Sequence, residues 1–155
     1  MQIDIYVKKT NKTYKTKYGV PFQCVELIRR FFSTITDGAS FPNVVDAVDL
    51  YENIHTFDTI HLRTFSYPYE KNPLKPGAIL FWKRRKPDFP YGHCALVLES
   101  NENETVTIQQ NLNPPIRRYN TKELFAKMNR PDSKFLGIKT FSRRLPKITC
   151  NIVPI

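Results

Sequence analysis

The sequence predicts an α+β fold, with N-terminal helices packed on an antiparallel sheet. Three observations carry that expectation. One amphipathic helical stretch lies near the start, at about residues 23 to 34. A series of short, mostly alternating apolar segments follows between 78 and 111. A helix at about 121–128 and a strand at about 135–141 then close the chain. No repeat, low-complexity tract or linker-like stretch divides the sequence. Its 155 residues therefore read as a single domain, 1–155.

The elements follow in order. Ile3, Ile5 and Val7 alternate with polar residues as in a half-buried strand. Tyr18 to Phe22 is a turn-like lead-in. Leu27, Ile28, Phe31 and Phe32 then share one helical face, and Arg29 and Arg30 lie off it. Cys24 opens this helix on its buried side. Residues 36–48 read as a loop and a second short helix, and 51–72 as irregular and aromatic. Lys75-Pro76-Gly77 is a tight turn into the strand 78–82. A basic loop spans 83–91, and a strand runs from His93 to Leu98. The polar run 99–104 makes a hairpin loop, and a return strand covers 105–111 until Asn113-Pro114-Pro115 ends it. The tail 142–155 has no clear assignment.

Composition removes several function classes. Apolar residues make up 41% and aromatics 13%, too much for a disordered chain. Mean hydropathy is −0.44, and no apolar run approaches the ~18 residues of a membrane span. The start shows neither a basic n-region nor an apolar h-region, so a cytoplasmic site, or packaging in a virion or phage particle, is expected. The Lys/Asn-rich composition, with five glycines, suits an AT-rich viral or bacterial genome. Three cysteines, none in C-x-x-C spacing, do not suggest a disulfide framework. Lys and Arg total 24 against 14 acids, a formal charge of +10. That field favours anionic partners. Its densest cluster, Lys83-Arg84-Arg85-Lys86, is a candidate anionic contact surface.

Two residues stand out chemically. A cysteine at a helix N-terminus meets unpaired N–H groups, which stabilise thiolate and can hold an oxyanion. His93 begins a strand whose hairpin partner can be registered. Pairing Leu98 with Thr105 sets His93 opposite about Gln110, to within one or two residues. Alternation then separates Gln109 and Asn111 from Gln110, and in any register an amide neighbours the imidazole. The same alternation turns Cys94 away from His93, as a core thiol with Leu96 and Leu98. Glu26 reads as a surface salt-bridge residue.

Four sequence words contain these residues. They are Phe22-Gln23-Cys24-Val25-Glu26-Leu27-Ile28-Arg29-Arg30-Phe31, Leu74-Lys75-Pro76-Gly77-Ala78-Ile79-Leu80-Phe81-Trp82, Tyr91-Gly92-His93-Cys94-Ala95-Leu96-Val97 and Ile108-Gln109-Gln110-Asn111. In this order, over about 18–141, they resemble the CHAP family of cysteine, histidine-dependent amidohydrolases/peptidases, whose fold is papain-like. Gly38 to Tyr51, and Lys134-Phe135-Leu136-Gly137, give a nearer likeness to the amidase domain of glutathionylspermidine and trypanothione synthetases.

The resemblance implies a thiol amidase or peptidase with Cys24 as nucleophile and His93 as base. It implies no metal or cofactor. Where the family has Glu-x-Asn, this chain has Gln109 and Asn111, so an amide replaces the carboxylate. Papain-like enzymes use an amide in that role. Gln23 and Tyr18 are candidate oxyanion or substrate contacts. The implied substrate is a glutathione–polyamine amide. A peptidoglycan peptide is the alternative, and the loss of the carboxylate leaves open a non-catalytic binding module.

Overall fold

The computed structural model describes residues 1–9, 18, 23–36, 44–54, 56–57 and 60–155. Helix α1 (Cys24–Ile35) forms because Leu27, Ile28, Phe31, Phe32 and Ile35 recur every three or four residues, and all five are buried. Thr36 ends it by returning its backbone N–H and its hydroxyl to the Phe32 carbonyl, at 3.0 and 2.7 Å. Phe31 and Phe32 meet Phe141 edge-on at 5.8 and 5.2 Å. Helix α2 (Ala47–Asn53) starts at Asp46, whose carboxylate accepts from the Asp49 N–H at 2.9 Å. The second helix expected within 36–48 thus begins where that segment ends, because the cap is Asp46. Residues 37–43 lie outside the described residues.

The main sheet contains β2 (Thr56–Phe57), β3 (Ile60–Phe65), β4 (Ile79–Trp82), β5 (His93–Ser100), β6 (Glu104–Ile108), β7 (Ile116–Asn120) and β8 (Phe135–Phe141). Their order is β2-β3-β8-β4-β5-β6-β7, antiparallel at every pairing. Only β4 to β7 form the expected meander. Helix α3 (Thr121–Met128) carries the chain back, and β8 enters between β3 and β4. The strand β4 is buried at all four positions because both faces of the sheet are covered. Its Ile79 and Phe81 face α1, α2 and β1 (Gln2–Val7). Its Leu80 and Trp82 face Leu124 and Met128 of α3.

The structure corrects the sequence reading in three elements. Residues 60–65, expected to be irregular, form β3 against β8, with Leu62 paired to Phe141. The segment after Asn113-Pro114-Pro115 forms β7, an edge strand whose Arg117 and Arg118 leave no apolar alternation to read. The tail forms β9 (Thr149–Pro154), which pairs in parallel with β1 from Gln2–Thr149 to Val7–Pro154. The hairpin register also differs. A bulge between Val97 and Glu99 gives Thr105 to Ser100 rather than to Leu98. Below the bulge Leu96 pairs with Ile108, so the following Gln109 comes level with Ala95, on the face that also carries His93.

Candidate active site

Cys24 is the first residue of α1 and is 8% exposed. The first intrahelical bond runs from the Leu27 N–H to the Gln23 carbonyl, so the N–H groups of Cys24 and Val25 have no acceptor within the helix. Such free N–H groups at a helix start can stabilise an oxyanion. Gln23, at the N-cap, adopts extended backbone without a side-chain cap.

His93, the first residue of β5, is buried. Gly92 delivers it with φ +70°, and a Cβ there would sit 2.8 Å from both the Trp82 carbonyl oxygen and Val48 Cγ2. Phe89 stacks on the imidazole at 5.4 Å with a 9° interplanar angle, and Trp82 lies at 5.2 Å. Gln109 Oε1 lies 3.0 Å from His93 Nε2. The Gln109 Nε2 donates to the Pro114 carbonyl at 3.0 Å. That carbonyl can only accept, so the amide orientation is fixed and its oxygen must face the ring. His93 Nε2 therefore carries the proton and donates, and Nδ1 is the nitrogen available to Cys24.

The electrostatics agree with this assignment. The Cys24 thiol is held well below its ordinary range, first by a hydrogen bond with Cys94. Burial opposes the shift, and the hydrogen bond and charge of His93 reinforce it. Cys94 is pushed well above the ordinary range by burial first, and then by the hydrogen bond and charge of Cys24.

The remaining sequence candidates fall around a cleft of about 570 Å³ lined by Tyr18, Gln23, Cys24, His93 and Asn111 among others. Asn111 is hydrogen-bonded to Gln23 rather than to His93. It has φ +66°, is exposed, and donates from Nδ2 to Gln23 Oε1 at 3.3 Å. Tyr18 lines the cleft, with its hydroxyl 2.9 Å from Ser33 Oγ. The basic loop is tied down in part. Arg84 binds Asp46 at 2.8 and 3.0 Å, and Arg85 pairs with Asp88. Among the described residues, no cluster of three or more His, Cys, Asp or Glu side chains is placed to hold a metal ion.

Three contacts escape the sequence reading. Glu26 is not a surface residue: it is 1% exposed, and pairs with Arg30 at 2.9 Å inside the protein. Gln110 is the hub beside it. Its oxygen accepts from the Tyr6 N–H at 2.8 Å and from Arg30 at 3.1 Å. Its nitrogen donates to the Gln23 carbonyl at 2.8 Å and to Glu26 at 2.9 Å. One buried amide thus ties β1 and the start of α1 to the segment that carries Gln109. The paired amides Gln109-Gln110, on opposite faces, were its only signal in the sequence. Third, Cys24 and Cys94 are buried in the same apolar cluster.

The sequence profile of the CHAP domain matches residues 13–111, a span that includes Cys24, His93 and Gln109. No curated protein matches the chain at a significant level. Among solved structures, "The crystal structure of Ly7917" is similar, with a TM-score of 0.51 and 12% identity. The match covers 76% of this chain and 53% of that one, so this chain spans about half of its length. At that identity the likeness is one of fold. The profile match takes in more than half of the chain, and the α+β architecture and the cysteine–histidine arrangement agree with it: the protein belongs to the CHAP domain family, whose members are generally cysteine-dependent amidohydrolases.

Proposed function

We propose that the protein cleaves an amide bond through a thioester on Cys24. The observation that carries this reading is the His93–Gln109 bond. The Pro114 carbonyl fixes its direction, and it leaves Nδ1 to serve the thiol. The Cys24 thiolate attacks the carbonyl carbon, and the oxyanion rests on the Cys24 N–H. His93, as imidazolium, gives its Nδ1 proton to the departing amine as the C–N bond breaks. A water molecule then loses a proton to His93 and attacks the thioester, which releases the acid and restores Cys24. Gln109 holds the ring through both steps, and Gln23, braced by Asn111, borders the oxyanion side.

The substrate is proposed from two directions. The sequence words around Phe41 to Tyr51 favour a glutathione–polyamine amide. The charges of the site favour an acidic peptide, as in peptidoglycan. Three acids bordering the cleft, Glu26, Asp46 and Asp88, are each paired with an arginine. A second cavity of about 240 Å³ shares His93 with the cleft, and Arg117, Arg118, Lys127 and Lys134 stand in its walls against one acid, Glu123. A cationic polyamine would find little attraction there.

Product release from glutathionylspermidine and from purified peptidoglycan, followed by mass spectrometry, tests both. Cys24→Ala should abolish release, and His93→Ala should lower it by about 10²- to 10⁴-fold. No release from either substrate, together with a Cys24 that titrates near the ordinary ~8.5 irrespective of His93, would leave the binding-module reading in its place.

A further inference from the structure

The cleft at Cys24 and the smaller cavity meet at the imidazole. Phe89, His93 and Leu112 line both. Cys24 borders the cleft, and Gln109 borders the cavity. Gln109 holds Nε2, so the cavity lies toward the side of the ring away from the nitrogen that serves the thiol. Its volume is about 240 Å³, below the roughly 300–1,000 Å³ of pockets for drug-sized ligands. It suits one residue rather than a polymer. Its walls are cationic. Arg118 is neutralised by Glu104, while Arg117 donates to the Asn113 carbonyl at 3.2 Å. Among the described residues, Arg117, Lys127 and Lys134 form no ion pair with an acid. Glu123 is the one acid in the lining. Lys127 ends α3 and Lys134 leads into β8, so two separate elements bring ammonium groups to one small space.

We propose that this cavity is the subsite for the leaving half of the substrate and takes a carboxylate there, so the scissile amide is one whose amine half is an acidic amino acid or peptide. The inference rests on the amidase reading of Cys24 and His93. The departing nitrogen takes its proton from His93, so it lies on the imidazole side of Cys24. The carbonyl oxygen turns the other way, to the free N–H groups at the start of α1. A chain continuing from the departing nitrogen runs past the ring, along Phe89 and Leu112, into the cavity. The amine half of a peptide bond is an amino acid, and its main-chain or side-chain carboxylate supplies the charge that the unpaired cations lack. A polyamine amide would place a cation in the same space.

Trp82, the single tryptophan of the chain, lines the cavity and reports its occupancy by fluorescence. Glutarate should change the signal saturably, while glutaramide and putrescine leave it unmoved. Cleavage is read by mass spectrometry on pools of N-acetyl-aminoacyl amides of glutamine, isoglutamine, glutaminamide and lysinamide, one amine at a time. Glutamine keeps its main-chain carboxylate and isoglutamine its side-chain one, so the faster of the two identifies which carboxylate binds. That amide should exceed glutaminamide by at least about tenfold in kcat/KM, as expected of a charge-assisted contact, and lysinamide should be slowest. In the double variant Lys127→Met with Lys134→Met the ratio should fall toward one, and glutarate affinity should drop about tenfold. Both side chains are exposed, so the change leaves the core intact. If circular dichroism nevertheless shows the variant unfolded, wild type in about 1 M salt decides, because the screening length there is roughly 3 Å and the preference should shrink likewise. A response shared by glutaramide, a ratio near one in wild type, or no release of either acid by a protein whose Cys24 reactivity depends on His93 would overturn the proposal. A Cys24 that titrates as an ordinary thiol, unaffected by His93→Ala, is a different result, and it would overturn the amidase reading itself, whatever glutarate does at the cavity.

Discussion

Gln109 does with a neutral group what a carboxylate does with charge in related arrangements. Its carbonyl fixes the ring and its tautomer, but it adds little field to favour the imidazolium. Gln109→Ala should therefore slow Cys24 labelling near neutral pH by about 10- to 100-fold, less than loss of the base itself. Gln109→Glu should extend the reactive range to higher pH, because a carboxylate stabilises the imidazolium. A mutant profile identical to wild type would mean that the ring is held by Phe89 and Trp82 alone. Gly92 acts one residue earlier in the chain. Alanine there meets both a positive φ and a 2.8 Å approach to the Trp82 carbonyl. It should cost about 1–3 kcal/mol in thermal unfolding and slow Cys24 labelling at the same time. Much of this centre was legible in sequence, because Cys24, His93 and Gln109 lie in short words with local meaning. Gln110 and Cys94 were not. Their partners, Gln23, Glu26 and Cys24, are distant in sequence, and only the packing of α1 on the sheet brings them together.

Helix α1 carries Cys24, the proposed nucleophile, and holds one buried ion pair. Glu26 and Arg30 are a turn apart on the same helix and share Gln110. Removing one partner leaves a charge enclosed without its counter-charge. Glu26→Ala should cost roughly 3–5 kcal/mol by denaturant titration. It should also loosen the approach of Gln109 to His93, which the labelling rate reports. The double change Glu26→Met with Arg30→Met should recover much of the stability, because no charge is then stranded. The elements that sequence located well, α1, α3 and β8, carry their own periodicity. β3 and β7 do not. Of the six residues of β3, Leu62 is buried while His61, Arg63 and Thr64 are exposed, and β7 is an edge. Their neighbours in the sheet make them strands, and no neighbour is visible in a local window.

For the molecule as a whole, a lysine inside the sheet sets how stability changes with pH. Lys139 is 1% exposed, binds the Ile54 carbonyl and Thr64 Oγ1, and lies 4.8 Å from the Tyr51 ring. Burial lowers it from 10.5 to about 8. Below about 8 both folded and unfolded chains hold the proton, and the folded state bears the cost of the buried charge. Between about 8 and 10.5 the folded state has released a proton that the unfolded state still binds, so stability rises with pH by roughly 3 kcal/mol. Lys139→Met should remove that rise, as seen by comparing urea midpoints of the two proteins at pH values on either side of the window. The pairing of β1 with β9 acts at the same scale, and its direction has a mechanical consequence. The strands are parallel, so a force drawn along the chain into β1 and out of β9 loads their backbone bonds together, in shear, rather than one after another as in peeling. Tyr6 of β1 donates to Gln110, so the tension would reach the first turn of α1. Stretching the protein in an optical trap should therefore change the reactivity of Cys24 before the main sheet gives way.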